Sequence, residues 1–202
     1  MYVTFFEKEA ITVGWQKKPQ PENAAEQTGR FSNSLFEWGE ALIFSLLFVV
    51  IVFTFLFRLI GVSGHSMVPT LQDKDIMIVS NLGYTPARGD VVVLNKKSFT
   101  YGPIVKRIIA VGGDTVDINF AEGVVSVNGE ALDEPYINEP TWEAEGVAFP
   151  VTVPEGSVFV MGDNRNASTD SRDPRIGMVD ERYIIGHVLA VALPFQSMGK
   201  VA

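Results

Sequence analysis

The sequence predicts a mainly β protein, a twisted and mostly antiparallel sheet assembly that follows one N-terminal transmembrane helix. Three observations carry that reading. From Asp75 onward the chain breaks into short β-rich runs separated by Gly, Pro, Asn and Asp turns. No amphipathic stretch between those runs is long enough for the helical crossover that parallel strands need, so antiparallel pairing is expected. Ahead of them lies a single long apolar run, Ala41 to Phe57, without one charged residue.

Taken in order, residues 1–40 read as a flexible cytoplasmic tail. Their centre, Lys17-Lys18-Pro19-Gln20-Pro21-Glu22-Asn23, offers too little apolar surface to offset the entropy of ordering. Residues 41–60 read as the membrane-spanning helix. Seventeen residues from Ala41 to Phe57 cover about 25 Å at the helical rise, and continuing past Arg58 to Ile60 reaches the ~30 Å of a hydrocarbon core. Arg58 would reach to the headgroups, and Trp38 suits the opposite interface. The run starts too far from the N-terminus for a cleaved leader, and it lacks the polar face of a helix in a soluble core. Lys17, Lys18 and Arg30 before it and Arg58 and Lys74 after it give little charge asymmetry. The domain-sized part is downstream, which places residues 61–202 outside the cytoplasm.

Within 61–202, strands are expected at 75–80, 90–95, 103–111, 115–119, 124–127, 147–153, 157–161 and 184–193. Asn128-Gly129 between Val-Val-Ser-Val and Glu-Ala-Leu predicts a two-residue hairpin turn. Gly112-Gly113-Asp114 and Pro154-Glu155-Gly156 are further turns. Residues 130–146 are acidic and contain proline, and 115–157 as a whole read as an insertion in the β domain.

Composition narrows the chemistry. The 202 residues suit one domain plus an appendage. A net charge of −8, from 24 acidic and 16 basic side chains, argues against sequence-independent nucleic-acid binding. The chain has no cysteine, which excludes disulfides and thiolate catalysis, and its two histidines, His65 and His187, cannot make a histidine-rich metal centre.

Three segments hold candidate chemistry. The first is Gly61-Val62-Ser63-Gly64-His65-Ser66-Met67-Val68-Pro69-Thr70-Leu71, a forced turn where the apolar run ends. A nucleophilic Ser66 needs a base within hydrogen-bond reach. His65, its neighbour, projects elsewhere; His187 could complete a Ser-His-Asp set with Asp163, Asp170 or Asp173. The second segment, Pro103-Ile104-Val105-Lys106-Arg107-Ile108-Ile109-Ala110-Val111, offers a lysine instead. Both faces of that strand are apolar, so alternation leaves open whether Lys106 or Arg107 is buried. A buried lysine loses its proton more easily, and a shift of ~3 units corresponds to about 4 kcal/mol. The third segment, Met161 to Asp173, is dense in Asp, Asn, Arg and Ser. It fails as a calcium loop because Arg165 sits at a ligand position and Pro174 stands where the bidentate glutamate belongs. Asn166-Ala167-Ser168 has the form of a glycosylation sequon, and a rigid network that supports a site is the remaining functional reading.

Together these segments resemble bacterial type I signal peptidases. Ser66-Met67-Val68-Pro69-Thr70-Leu71 is similar to that family's nucleophile motif and Gly89-Asp90-Val91-Val92-Val93 to its Gly-Asp strand. Val105-Lys106-Arg107-Ile108-Ile109-Ala110-Val111-Gly112-Gly113-Asp114 is similar to its lysine motif. Gly162-Asp163-Asn164-Arg165 with Ser168, Asp170, Ser171 and Arg172 is similar to its last one. The resemblance implies a membrane-anchored endopeptidase of the cytoplasmic membrane that removes signal peptides from secreted preproteins after small residues. It implies Ser66 as nucleophile, Lys106 as neutral general base, Ser168 bonded to the Lys106 amine, and Asp170 with Arg172 bracing the site, Asp163 belonging to the same motif. The Ser66 backbone N–H would donate to the oxyanion. Some members have a serine at the position occupied here by Gly64, so a side-chain donor there is missing, though Ser63 lies beside it. No metal or organic cofactor is implied; the partners are signal-peptide preproteins, the lipid bilayer and the secretion machinery. Two other readings stay open: a Ser/Lys maturation peptidase with one dedicated substrate, and a non-catalytic membrane-tethered β domain that binds peptides.

Overall fold

The structure, a computed structural model, describes residues 23–96 and 102–201. Residues 1–22, most of the expected flexible tail, lie outside the described residues. The rest of that tail is not irregular: α1 runs Asn23–Phe55, beginning in the helix-forming stretch Asn-Ala-Ala-Glu-Gln. Along α1 from Phe36 to Ile51 the large apolar side chains are exposed. Among the described residues no helix is long and apolar enough to cross a membrane.

The expected helical limit at residue 60 is also corrected. The helix stops at Phe55, and β1 (Arg58–Gly61) pairs antiparallel with β2 (Ile76–Ser80), Arg58 opposite Val79 and Gly61 opposite Ile76. Leu59 and Ile60 continue the apolar run in composition, but pairing with a formed strand outweighs that continuity.

Residues 49–202 form one compact unit, and it is mainly β. Its strands continue as β3 (Val91–Leu94), β4 (Ile104–Val111), β5 (Thr115–Asn119), β6 (Val124–Val127), β7 (Glu130–Ala131) and β8 (Val151–Thr152). Then come β9 (Ser157–Met161), β10 (Val179–Asp180), β11 (Ile184–Leu193) and β12 (Gly199–Lys200). The larger sheet has the order β1-β2-β11-β3-β4-β9-β10 with β12 alongside β11; the smaller is β7-β6-β5-β8. Every pairing is antiparallel, with register shifts in β11 against β2 and β3, and in β4 against β9. Such irregularities bend strands and increase local twist.

Three apolar clusters hold the sheets. Ile109, Val116, Ile118, Val125, Val127 and Phe159 pack the smaller sheet onto β4 and β9. Met67, Leu71, Met77, Val79, Val91 and Val93 make the second cluster, and Val92, Leu94, Ile108, Val158 and Val160 the third. All of β3 is buried, its alternate residues divided between those two clusters, so it reads in sequence as an unbroken Val-Val-Val-Leu run. At Asn128-Gly129 both residues have positive φ (56° and 84°), the geometry of the expected hairpin turn. The expected strand 147–153 shrinks to Val151–Thr152, because Pro150 cannot donate to a ladder.

Candidate active site

Two elements bring the first pair of groups together. The turn after β1 carries Ser66, and β4 carries Lys106, which is 3% exposed. Lys106 Nζ lies 2.7 Å from Ser66 Oγ, at hydrogen-bond distance. Burial drives the lysine down to about 8, while the charges of Asp170, Glu145 and Asp163 pull it back and Arg172 opposes them. Burial thus moves the lysine toward the unprotonated form that a general base needs.

The loop after β9 locks this turn in place. Asn164 N–H donates to Ser66 O at 3.0 Å and Asn164 Nδ2 donates to His65 O at 3.0 Å. Gly162 makes the approach possible, since a Cβ there would stand 2.4 Å from Ser66 O and 2.2 Å from Ser168 Oγ. Ser168 thus sits beside the nucleophile turn, on the same side of Gly162. Its hydroxyl donates to Asp170 Oδ2 at 2.9 Å, which leaves its oxygen able to accept a hydrogen bond.

Around these groups lies a set of buried ion pairs. Both charges of the Lys106-Arg107 dipeptide are buried, which settles the alternation left open by the sequence. Arg107 donates from Nε and Nη2 to the Asp163 carboxylate at 2.9 and 2.7 Å, and from Nη1 to Gly89 O at 2.7 Å. Thr70 Oγ1 donates to the same carboxylate, which ties Asp163 to the nucleophile motif. Asp170 accepts from Gly162 N–H and from Nε and Nη2 of Arg172. Arg165 donates to Glu134, Thr141 Oγ1 and Gly162 O. Burying so many charges is costly unless each is well partnered, and the three arginines are, each with a carboxylate and at least one backbone oxygen or hydroxyl.

Residues 134–145 supply partners to all three buried arginines, a role nothing in their sequence signalled. The Tyr136 ring lies under the Arg107 guanidinium, 4.0 Å from its centre. Glu134 takes Arg165, and Glu143 O with the Glu145 carboxylate takes Arg172. Only contacts made in the folded chain reveal these roles; Asn164 alone was legible, as part of a motif.

The histidine alternatives are not assembled. His187 on β11 stacks on Tyr84 with ring centres 4.3 Å apart, and its Nδ1 is buried without a hydrogen-bond partner among the described residues. Asp163, Asp170 and Asp173 are each held by an arginine, respectively Arg107, Arg172 and Arg175. The sequon asparagine is likewise occupied: Asn166 Nδ2 donates to Pro140 O, and Oδ1 accepts from the N–H groups of Trp142 and Glu143. No cluster able to hold a metal ion occurs among the described residues.

Gly64 has φ +101°, a conformation that disfavours a side chain, and its N–H donates to Asp73 Oδ1 at 3.0 Å. Beside it a cavity of about 330 Å³ is lined on one side by Ile60, Val62, Ser63 and Ser66 and on the other by Ile104, Val105 and Lys106. Strand β9 pairs β4 only over 107–111, so among the described residues the β4 backbone at 104–106 has no strand partner on that side.

Comparison with known proteins gives a consistent answer. The family described as "Signal peptidase, peptidase S26" matches residues 35–193. A signal peptidase I of Bacillus licheniformis is 37% identical over 87% of this chain and 97% of its own length. Signal peptidase I T of Bacillus subtilis (strain 168) is 36% identical over 87% of this chain and 94% of its own. Among solved structures, a signal peptidase I from Enterococcus faecalis V583 matches with 30% identity and a TM-score of 0.42, over 52% of this chain and 97% of that one.

Proposed function

The chain belongs to the signal peptidases of peptidase family S26, and on that footing we propose that it hydrolyses preproteins with Ser66 as nucleophile and Lys106 as general base. The removal of signal peptides by a serine peptidase is the activity of the family. The single observation that supports these residue roles is the 2.7 Å contact between the buried lysine amine and the serine hydroxyl.

The reaction follows from that geometry. The unprotonated Lys106 amine takes the Ser66 proton as Oγ attacks the scissile carbonyl. The resulting ammonium gives its proton to the leaving amine, and the lysine then activates the water that releases the acyl group. Among the described residues no acceptor takes the Ser66 N–H, so it is available to the developing oxyanion. Gly64 contributes no side chain, and its N–H is committed to Asp73. An extended substrate pairs with the open β4 edge at 104–106 and lies in the cavity lined by Val62, Ser66 and Val105. That lining suits uncharged side chains near the cleaved bond.

The proposal includes placement. The uncharged run from Ala41 to Phe57 anchors the chain in a membrane, with residues 61–202 as the peptidase domain on the extracytoplasmic side and residues 1–40 in the cytoplasm. Cleavage of a preprotein by the full chain is the test. Ser66→Ala and Lys106→Ala each abolish cleavage while the protein folds, and His65→Ala and His187→Ala keep most of it. Loss of cleavage in His187→Ala alone would replace the lysine by a histidine base.

A further inference from the structure

We infer that Asn164 is a positioning residue for the oxyanion donor, its side-chain amide holding the His65–Ser66 peptide unit so that the Ser66 N–H faces away from the loop after β9. The inference rests on the reading of Ser66 as nucleophile and gives a side chain of the last motif a task in it.

Asn164 is itself firmly held. Its neighbours Asp163 and Arg165 are buried, Asp163 under two bonds from Arg107 at 2.9 and 2.7 Å and Arg165 against Glu134. The backbone is occupied as well: Asp163 O accepts from Asn138 N–H at 3.2 Å and Asn164 O from Ala167 N–H at 3.1 Å. A short 3₁₀ helix, Arg165–Ala167, starts directly after Asn164. Asparagine in that place commonly caps the helix with its own side chain, yet here it makes no such bond. Instead Nδ2 donates to His65 O at 3.0 Å, across 99 positions of sequence. The side chain thus serves the nucleophile turn and not its own helix.

The consequence lies in the geometry of one peptide unit. His65 C=O and Ser66 N–H are the two ends of a planar trans unit and point in opposite directions, so fixing the carbonyl aims the N–H. Without the Asn164 amide, the described partner of His65 O is Val68 N–H at 3.2 Å, which belongs to the same turn and does not tie it to the rest of the fold. Asn164 N–H meanwhile donates to Ser66 O at 3.0 Å and fixes the next unit, so one residue holds both peptide units that flank Ser66 Cα. Because the carbonyl points toward the loop after β9, the N–H points away from it. The cavity beside Ser66 lies on that other side, since no residue of this loop lines it. Gly64 offers no side chain and its N–H is taken by Asp73, so the aim of the Ser66 N–H is not backed up from there. A donor stabilises an oxyanion only when it is already aimed at the place where charge develops.

Cleavage of a preprotein by the detergent-solubilised full chain tests this with Asn164→Ala and Asn164→Ser. Both keep the backbone N–H that holds Ser66 O and lose the bond to His65 O, since a serine hydroxyl stops one bond short. Serine also suits the start of a helical turn. Both are expected to lower kcat by roughly ten- to a hundredfold, less than the loss of a whole oxyanion donor, with KM within about twofold of the parent. The acid limb of the pH profile stays in place, because Lys106 keeps its contact with Ser66 Oγ. A signal-peptide fragment ending in Ala-x-alaninal supplies the readout that packing alone does not move. Ser66 Oγ bonds its aldehyde carbon, Lys106 takes the Ser66 proton, and the carbonyl oxygen takes the electron pair, so the adduct calls on the donor. Its inhibition constant rises in the variants by about the factor lost in kcat, while that of the matching alcohol, which has no carbonyl, stays within about twofold. Loss confined to KM, equal weakening of aldehyde and alcohol, a displaced acid limb, or kcat within about threefold of the parent overturns the inference. Failure of both variants to fold overturns it as well, since the side chain would then serve the fold. If the parent chain does not cleave, or Ser66→Ala cleaves as well as the parent, it is the nucleophile assignment that fails instead.

Discussion

Replacing Gly162 by alanine adds one methyl group at the point where the last motif meets the nucleophile turn. The added carbon would lie 2.4 Å from Ser66 O and 2.2 Å from Ser168 Oγ. The Ser168 hydroxyl can rotate away, but Ser168 Cβ, 2.5 Å from the added carbon, and the Ser66 carbonyl, held by Asn164 N–H at 3.0 Å, are both fixed to the backbone. Ordinary contact for such atoms begins at about 3.5 Å, so the Ser66 backbone must retreat by about 1 Å. A displacement of that size at a nucleophile costs about a hundredfold in rate. Overpacking a filled site costs about 1–3 kcal/mol, which lowers the melting temperature by roughly 2 to 10 °C in a domain of this size. The assay is kcat/KM for preprotein cleavage beside a thermal melt. Gly199→Ala is the control, because a Cβ there meets nothing within 4 Å. If Gly162→Ala cleaves within about threefold of the parent, the close approach does not govern the nucleophile, and the reasoning from contact distances fails.

Two further outcomes follow from the same site. For the parent enzyme, kcat/KM is expected to fall about tenfold per pH unit below the Lys106 value of about 8 and to level off above it, because only the unprotonated amine accepts the Ser66 proton. A profile centred near 6.5, the ordinary range of histidine, would contradict this. Asp163→Asn leaves the buried Arg107 guanidinium without its carboxylate and is expected to destabilise the fold by about 3–5 kcal/mol, read as a shifted denaturation midpoint. A loss under about 1 kcal/mol would mean that Tyr136 and Gly89 O suffice for Arg107.

Much of the β domain is legible because its signals are local. Strands at 115–119, 124–127, 157–161 and 184–193 are bounded by turns whose residues dictate their conformation, as at Asn128-Gly129. Ser66 and Lys106 are legible as motif members, although only the fold shows that the two side chains meet. The strand Arg58–Gly61 is hidden, since its apolar residues extend the preceding run and its identity as a strand depends on β2. Glu134, Tyr136 and Glu145 are hidden for a related reason. An acidic loop looks solvated until the buried arginines it neutralises are in place. Motif membership places the Ser168 hydroxyl near the site, and only the fold shows that it donates to Asp170.

The dependence of Lys106 on burial also bears on when the chain can first act. Stretched out in water, this lysine keeps its proton at neutral pH, and a serine forty positions earlier in the sequence has no base within reach. Both conditions change in the folded chain, where Asn164 of the loop after β9 also holds the nucleophile turn. The pair proposed for hydrolysis is thus itself a product of folding.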